Sequence, residues 1–306
     1  MILHYIFSKA DDALRFANYA LFSTFLVWYA PVASAASIGL SPAEIFVESG
    51  VRQVTARVFN KGDSAVNLRL SLIDLKMTVS GGLRPLNIAA TDDTANHYAA
   101  NKLRVIPRII EIPPNASQVI KILVRPDAYD HKGIFHTHLN IKVLPSLDEF
   151  IDRQSAVSVS SASNGAKKLA MNVMPIINFA YPVWLETVPS PGVTATIDDL
   201  QMIKLPDGRH AVSVTLRRAG KSRLKGDLTV DFQPADDRPP ILLGTRKKVA
   251  VYPETPKIKV SVPLSDELLA GAGLTASQLL STGDRLRVVY QITVPVGVTD
   301  HPVADM

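Results

Sequence analysis

The hydrophobic pattern is most regular from Lys168 to Leu185, where every odd position carries an apolar or aromatic side chain. Successive side chains of a β-strand point to opposite faces, so the pattern predicts one continuous apolar face on a long strand. The stretch is about three times the usual strand length of roughly five or six residues. It contains Pro175 and Pro182, and a strand that holds proline lies at a sheet edge or a bulge. A long apolar edge favours pairing with another chain. The alternative is a connector strand whose apolar face is buried in the protein's own core.

Short strands separated by turns lie on both sides of this stretch, and Leu103–Ile112, which holds Pro107, is predicted to be an edge strand. Turn signals recur every eight to twelve residues or so, without a long amphipathic helix, which is typical of an immunoglobulin-like sandwich. A small, polar segment at 145–167 leads into the long strand, and loops of this length are often functional. A proline-rich linker follows at 188–192, and then a second set of strands with a short helix within Asp266–Leu280. The predicted fold is all-β, with two immunoglobulin-like β-sandwich domains joined by a long strand that crosses the junction.

Composition and the N-terminus indicate an exported protein. The chain has 306 residues and no cysteine, which excludes disulfides and thiolate metal sites, and its 33 basic and 28 acidic residues make it only mildly basic. An apolar run from Tyr19 to Ala30 follows Lys9 and Arg15 and precedes Ala33-Ser34-Ala35, which fits a signal peptide cleaved before residue 36. A retained signal anchor is the alternative, since the uncharged span 16–43 is long enough to cross a bilayer. The predicted divisions are a signal peptide at 1–35, an N-terminal domain at 36–186 and a C-terminal domain at 187–306.

Several groups of residues invite a chemical interpretation, but none predicts a catalytic or metal site. His131, His136 and His138 lie close together, yet a metal site needs further ligands and supporting hydrogen bonds, so a structural role is favoured. Ser222 and Lys225 form an S-x-x-K match without the partner motifs of a nucleophile. The sequence therefore predicts neither an enzyme nor a bound cofactor. The basic stretch 246–248 is interpreted as a charged strand edge that resists aggregation.

The order of these features resembles the PapD-like periplasmic chaperones of pilus assembly, most closely their archaic, or alternative, branch. Pro113–Val124 resembles the turn and strand that precede the family's signature strand, and Gly133–Pro145 is similar to its "GEYRSHL…LP" segment. Tyr181–Val183 fits the "IPV" at the crossover, while Arg217–Leu228 and Val249–Tyr252 fit the second domain. No single motif is highly specific, but the collinear set covers nearly the whole chain after the signal peptide.

The resemblance implies donor-strand complementation in the periplasm. A pilin-like subunit lacks its last strand, and the chaperone lends an edge strand before passing the subunit to an outer-membrane usher. The residues implied for this donor strand are the apolar odd positions Leu169, Met171, Val173, Pro175 and Ile177. The residues from Phe179 to Leu185 are expected to pack within the protein, near the domain junction.

The chain departs from the family at the positions that bind the subunit's C-terminal carboxylate. Glu44 and Pro175 align with the family's arginine and lysine there, and Glu44 is expected to repel a carboxylate. The remaining candidate anchors, chosen by order along the chain, are Arg57, Arg104, Arg108, Lys167 and Lys168. Nucleic acid is not expected among the partners, and the protein is not expected to insert stably into a membrane after signal cleavage. The alternative function is that of a structural or adhesive two-sandwich protein whose long strand is internal.

Overall fold

The computed structural model describes residues 37–86, 97–145, 176–189, 192–234, 239–271, 273, 285–294 and 303–305. The signal-peptide prediction and most of the predicted donor strand therefore lie outside the described residues. In the part of the chain that is described, no helix has the length and apolar character needed to cross a bilayer.

The first sandwich consists of two facing sheets, with strand orders β1-β3-β9-β7 and β2-β11-β10-β4-β8. Alternation builds its core: along β4, Val66, Leu68 and Leu70 are buried, while Asn67 and Arg69 between them are exposed. The strands are β1 (Ile38–Ser41), β2 (Ile45–Val47), β3 (Gln53–Asn60), β4 (Val66–Ile73), β5 (Leu75–Met77), β6 (Leu83–Pro85), β7 (Leu103–Ile106), β8 (Ile109–Ile112), β9 (Ser117–Val124), β10 (Ile134–Leu144) and β11 (Asn178–Glu186).

The second sandwich has sheets of order β12-β13-β16 and β15-β14-β17-β18. Along β14 every second residue is buried, from Leu224 to Phe232, so the strand presents one face to this core. A short helix, α1 (Asp266–Gly271), follows β16 within the predicted helical range. The strands are β12 (Val193–Lys204), β13 (His210–Gly220), β14 (Leu224–Gln233), β15 (Ile241–Val251), β16 (Lys257–Pro263), β17 (Arg285–Val294) and β18 (Val303–Asp305).

The predicted fold class is confirmed: the described part of the chain is almost entirely β, and it forms two sandwiches. Strand β11 ends at Glu186 in the first sandwich, and β12 begins at Val193 in the second. One strand prediction is wrong. The pattern predicts a single edge strand from Leu103 to Ile112, but the structure divides it at Pro107 into β7 and β8, which belong to different sheets.

The β5–β6 hairpin leaves the first sandwich and docks on the second. Met77 is part of the second core, and its backbone amide donates to Glu254 Oε1 at 3.0 Å. Thr255 Oγ1 donates to the carbonyl oxygen of Met77 at 2.9 Å, and the Lys259 amide donates to the carbonyl oxygen of Val79 at 2.7 Å. The hairpin therefore ties the two sandwiches together beside the crossover.

Candidate functional site

Strand β11 is covered along only part of one flank. It pairs with β10 along its whole length, from Asn178 to Glu186. On the other side β2 pairs with it in parallel, but only from Val183 to Leu185. The sequence predicts an edge strand throughout, and for these last three residues that prediction is wrong because β2 encloses them. Within the described residues, the flank from Asn178 to Pro182 has no neighbouring strand.

The apolar face of this strand opens progressively away from the junction. Val183 and Leu185 are fully buried in the first core, and Phe179 and Tyr181 are half-buried against it. Ile177, which continues the same alternation, is 49% exposed. The Val143 amide still donates to the carbonyl oxygen of Ile177 at 3.0 Å, so the pairing with β10 extends beyond the end of β11. The open flank and the exposed apolar face thus occur at the same end of the strand.

Of the predicted donor residues, the structure describes Ile177 alone. Leu169, Met171, Val173 and Pro175 lie outside the described residues, as do Lys167 and Lys168. The sequence-based assignment of these positions therefore stays a prediction. Ile176, on the opposite face of the chain, is also 49% exposed, so the segment entering β11 carries apolar side chains on both faces.

The cations nearest the junction end of β11 come from the second sandwich. Trp184 Nε1 donates to Glu44 Oε1 at 2.9 Å, and Arg223 Nη1 donates to the same oxygen at 3.2 Å. Lys225 Nζ bonds the other oxygen, Glu44 Oε2. The Arg223 guanidinium also stacks on the ring of Phe46, with its central carbon 3.8 Å from the ring centroid. The repulsion that the sequence predicts between Glu44 and a carboxylate is thus offset by two cations.

Burial shapes the electrostatics of this cluster. Desolvation lowers the pKa of Arg223, while the charges of Glu44 and Glu186 act in the opposite direction. Burial likewise raises the pKa of Glu186, against the charge of Arg223. Sequence analysis assigns Arg223 and Lys225 to a family strand segment without placing them at the junction. Their role at the junction becomes clear only from the structure, which places the start of β14 beside Glu44.

A second polar cluster closes the junction on the other side of Trp184. His136 Nε2 and Glu254 Oε2 are 2.9 Å apart, and both side chains are fully buried. His138 Nε2 lies 3.0 Å from the hydroxyl of Tyr252, whose ring stacks against the His138 ring. The histidines therefore serve as contacts between the sandwiches, and His131 is not among these contacts. In the described residues, no group of three or more His, Cys, Asp or Glu side chains could hold a metal ion.

The other candidate anchors lie on different parts of the first sandwich. Arg57 is exposed on β3, where its Nη1 donates to Ser117 Oγ at 3.1 Å. Arg104 is exposed on β7, an edge strand of the facing sheet, and Arg108 is exposed just before β8, which lies at the edge opposite β2. The structure therefore does not bring these three arginines together with the exposed end of β11. It instead brings Glu44, Arg223 and Lys225 together at that strand's buried end.

These features define a two-sandwich β protein in which one strand next to the domain junction has an open flank. No family model matches the chain, and no curated protein matches it. Among solved structures, it is similar to the YadV chaperone, with a TM-score of 0.42, 11% identity, and coverage of 88% of this chain and 99% of that one.

The chain is also similar to two solved structures of chaperones in complex with a subunit. One belongs to the CsuC–CsuE chaperone–tip adhesion subunit complex of the archaic chaperone-usher Csu pili of Acinetobacter baumannii, with a TM-score of 0.40, 10% identity and coverage of 88% and 98%. Another belongs to the Salmonella enterica complex of SafA pilin with the SafB chaperone, with a TM-score of 0.40, 9% identity and coverage of 90% and 99%. Similarity at this level does not assign a function, which has to come from this chain's own residues.

Proposed function

We propose that the protein is a periplasmic chaperone that binds pilus subunits by donor-strand complementation. The observation that carries the proposal is the coincidence of an open flank at Asn178–Pro182 with an apolar face that becomes exposed toward Ile177. Backbone groups on an open flank pair with an incoming strand, and exposed apolar side chains at alternate positions fill the grooves of an incomplete sandwich. Both requirements of strand addition therefore converge on one end of β11.

The donor residues we propose continue this face upstream: Leu169, Met171, Val173, Pro175 and Ile177. Complete burial of one aliphatic side chain is worth roughly 1.5–3 kcal/mol. The four residues of this set other than Pro175 thus supply at most about 6–12 kcal/mol before the costs of association are subtracted. Because association costs roughly 4–15 kcal/mol, the backbone hydrogen bonds of the added strand have to contribute to a stable complex as well.

The test is co-expression with a pilin-like subunit, followed by purification of the complex. Met171→Asp and Val173→Asp place a charge on the apolar face and are expected to abolish co-purification. Asn172→Asp is the matched control, because it adds the same charge at an intervening position that points to the other face. Equal recovery of the subunit with the wild-type chain, the control and both face variants contradicts the donor assignment.

A structural or adhesive protein with an internal strand is the second candidate. Its support is that Val183 and Leu185 are sealed in the first core and that β2 encloses the strand there. The same co-expression separates the two candidates, because a chaperone protects its subunit from degradation as a stoichiometric complex. A structural protein leaves the subunit degraded. Delivery of the subunit to an outer-membrane usher is part of the chaperone proposal, and is tested by measuring whether the purified complex binds an usher.

A further inference from the structure

The first sandwich has a notch at the edge opposite β11. Strand β8 closes the five-stranded sheet, but it pairs with β4 only from Val66 to Arg69, although β4 continues to Ile73. Strand β7, at the edge of the facing sheet, lines the space left beside the rest of β4. The result is a half-open cavity of about 480 Å³. Pockets that hold small ligands span roughly 300–1,000 Å³, so the notch is large enough for a short segment of chain.

The uncovered part of β4 presents backbone groups to the notch. The Leu70 amide donates to the carbonyl oxygen of Arg108 at 2.7 Å, which fixes the backbone of Leu70 on the side away from β10. Residues of an antiparallel strand alternate in the side to which they bond, and the register between β4 and β10 is unbroken up to Ile73. The N–H and C=O of Leu72 therefore face the same side as those of Leu70. Strand β8 begins only at Ile109, so no described strand pairs with Leu72 on that side.

The walls of the notch carry an unbalanced positive charge over an apolar floor. None of its arginines forms an ion pair with a described residue. Elsewhere in the described chain, by contrast, Arg209 pairs with Asp207, and Arg217 pairs with Asp198. The arginines that line the notch are Arg69, Arg104, Arg108 and Arg125, and the apolar floor consists of Leu70, Leu72, Leu103, Val105 and Ile109.

We propose that this notch binds an extended acidic segment of a partner protein, which pairs with β4 beside Leu72 and sets its carboxylates against the arginines. Guanidinium groups match carboxylates with two parallel hydrogen bonds. In a strand with alternating acidic and apolar residues, one face would meet the arginines and the other the apolar floor. Since no described strand pairs with Leu72 on this side, its N–H and C=O favour a peptide, which can extend the ladder, over a small anion, which cannot. This site is separate from the proposed donor strand, and it does not depend on the chaperone function.

The probe is a short fluorescent peptide that alternates glutamate and valine, with binding to the full chain measured by anisotropy. Its glutamine counterpart is expected to bind at least about tenfold more weakly, since charge-assisted hydrogen bonds are roughly twice as strong as neutral ones. The double variant Arg104→Gln/Arg108→Gln is expected to lose about tenfold in affinity for the glutamate peptide. The matched control Arg246→Gln/Lys247→Gln removes the same charge from the second sandwich and is expected to keep the affinity. Both arginines of the test variant are exposed, so its thermal unfolding should match that of the wild type.

Four outcomes would overturn the proposal. Equal weakening by the control variant would mean non-specific attraction to a basic protein. Displacement of the peptide by inorganic phosphate at matched ionic strength would mean a simple anion site, and arginine-dependent binding to anionic lipid vesicles without peptide binding would mean a membrane contact. Strand pairing has its own readout, because the bound peptide should slow hydrogen exchange at the Leu72 amide. Unchanged exchange at that amide with saturating peptide would also refute the mode of binding.

Discussion

His136 Nε2 and Glu254 Oε2 meet at 2.9 Å across the junction between the two sandwiches, with both side chains fully buried. The carboxylate also accepts the backbone amide of Met77 at 3.0 Å, so it links β10, the β5–β6 hairpin and the second sandwich. A buried carboxylate requires such partners because removing its charge from water is costly. This cluster therefore fixes how the second sandwich sits against the strand that leads to the proposed binding edge.

The first prediction concerns the removal of this carboxylate. Loss of one partner of a buried pair costs about 3–5 kcal/mol, because the remaining polar groups stay buried without compensation. Glu254→Ala should therefore lower the free energy of unfolding by about that amount in chemical denaturation. Asp207→Ala is the control, because its ion pair with Arg209 is exposed to solvent and exposed pairs add little to stability. Similar losses for the two variants would mean that the junction does not depend on Glu254.

The second prediction concerns acid stability. Burial lowers the pKa of His138 to about 4 from its ordinary 6.5, and the neighbouring His136 adds to the shift. The folded state thus holds this proton less tightly than the unfolded chain. Neutral His138 therefore makes its full contribution to the free energy of unfolding above pH 6.5. That contribution is lost as pH falls toward 4, by about 3 kcal/mol in total.

Glu254 acts in the same direction at lower pH. Burial raises its pKa, but the hydrogen bond and charge of His136 and the Met77 amide outweigh this, and the net pKa is lowered. A carboxyl with a lowered pKa loses its contribution as pH falls through the folded value. Urea unfolding followed from pH 7.5 to 4.5 should show a steady loss of stability, and His138→Gln should flatten the upper part of the curve. His210→Gln, remote from the cluster, should not change its slope.

The third prediction concerns Glu44. Its carboxylate holds Trp184, Arg223 and Lys225 together, so Glu44→Leu would leave two cations and an indole N–H without their acceptor. The loss of hydrogen bonds to a charged group costs about 1.5–3 kcal/mol each, reduced here by partial solvent access. We expect a loss of roughly 2 kcal/mol in unfolding free energy and a shift in the emission of Trp184. Glu48→Leu, an exposed carboxylate at the other end of β2, is the control for the change in surface charge. An unchanged stability of the Glu44 variant would show that the three donors do not need this acceptor.

The sequence predicts the features that depend on local alternation. The odd-numbered positions of β11 identify the apolar face, and the structure buries Val183 and Leu185 on it. Trp184 occupies the opposite face, yet it is buried as well, because the second sandwich and Glu44 cover it. Periodicity cannot detect a cover supplied by a distant part of the chain.

The sequence does not predict the contacts between the two sandwiches for the same reason. His136 and Glu254 lie 118 positions apart, and nothing in their local sequence indicates a contact. The break between β7 and β8 was missed because the apolar pattern continues through Pro107 while the chain changes sheets there. Pairing between distant strands, and not alternation, decides each of these features.

The last prediction concerns the apolar face that runs from Ile177 into β11. It tests whether the exposed end of this face binds a subunit while the buried end packs in the core. Ile177 is 49% exposed, so Ile177→Asp should change the free energy of unfolding by no more than about 0.5 kcal/mol, the range of surface substitutions. Val183 lies on the same face but is fully buried, so Val183→Asp should cost at least about 3 kcal/mol through an unpaired buried charge. Denaturation measures both, and co-purification with a pilin-like subunit measures function. The proposed donor role requires Ile177→Asp to weaken the complex while the chain stays folded. Full stability together with undiminished subunit binding would exclude Ile177 from the binding surface.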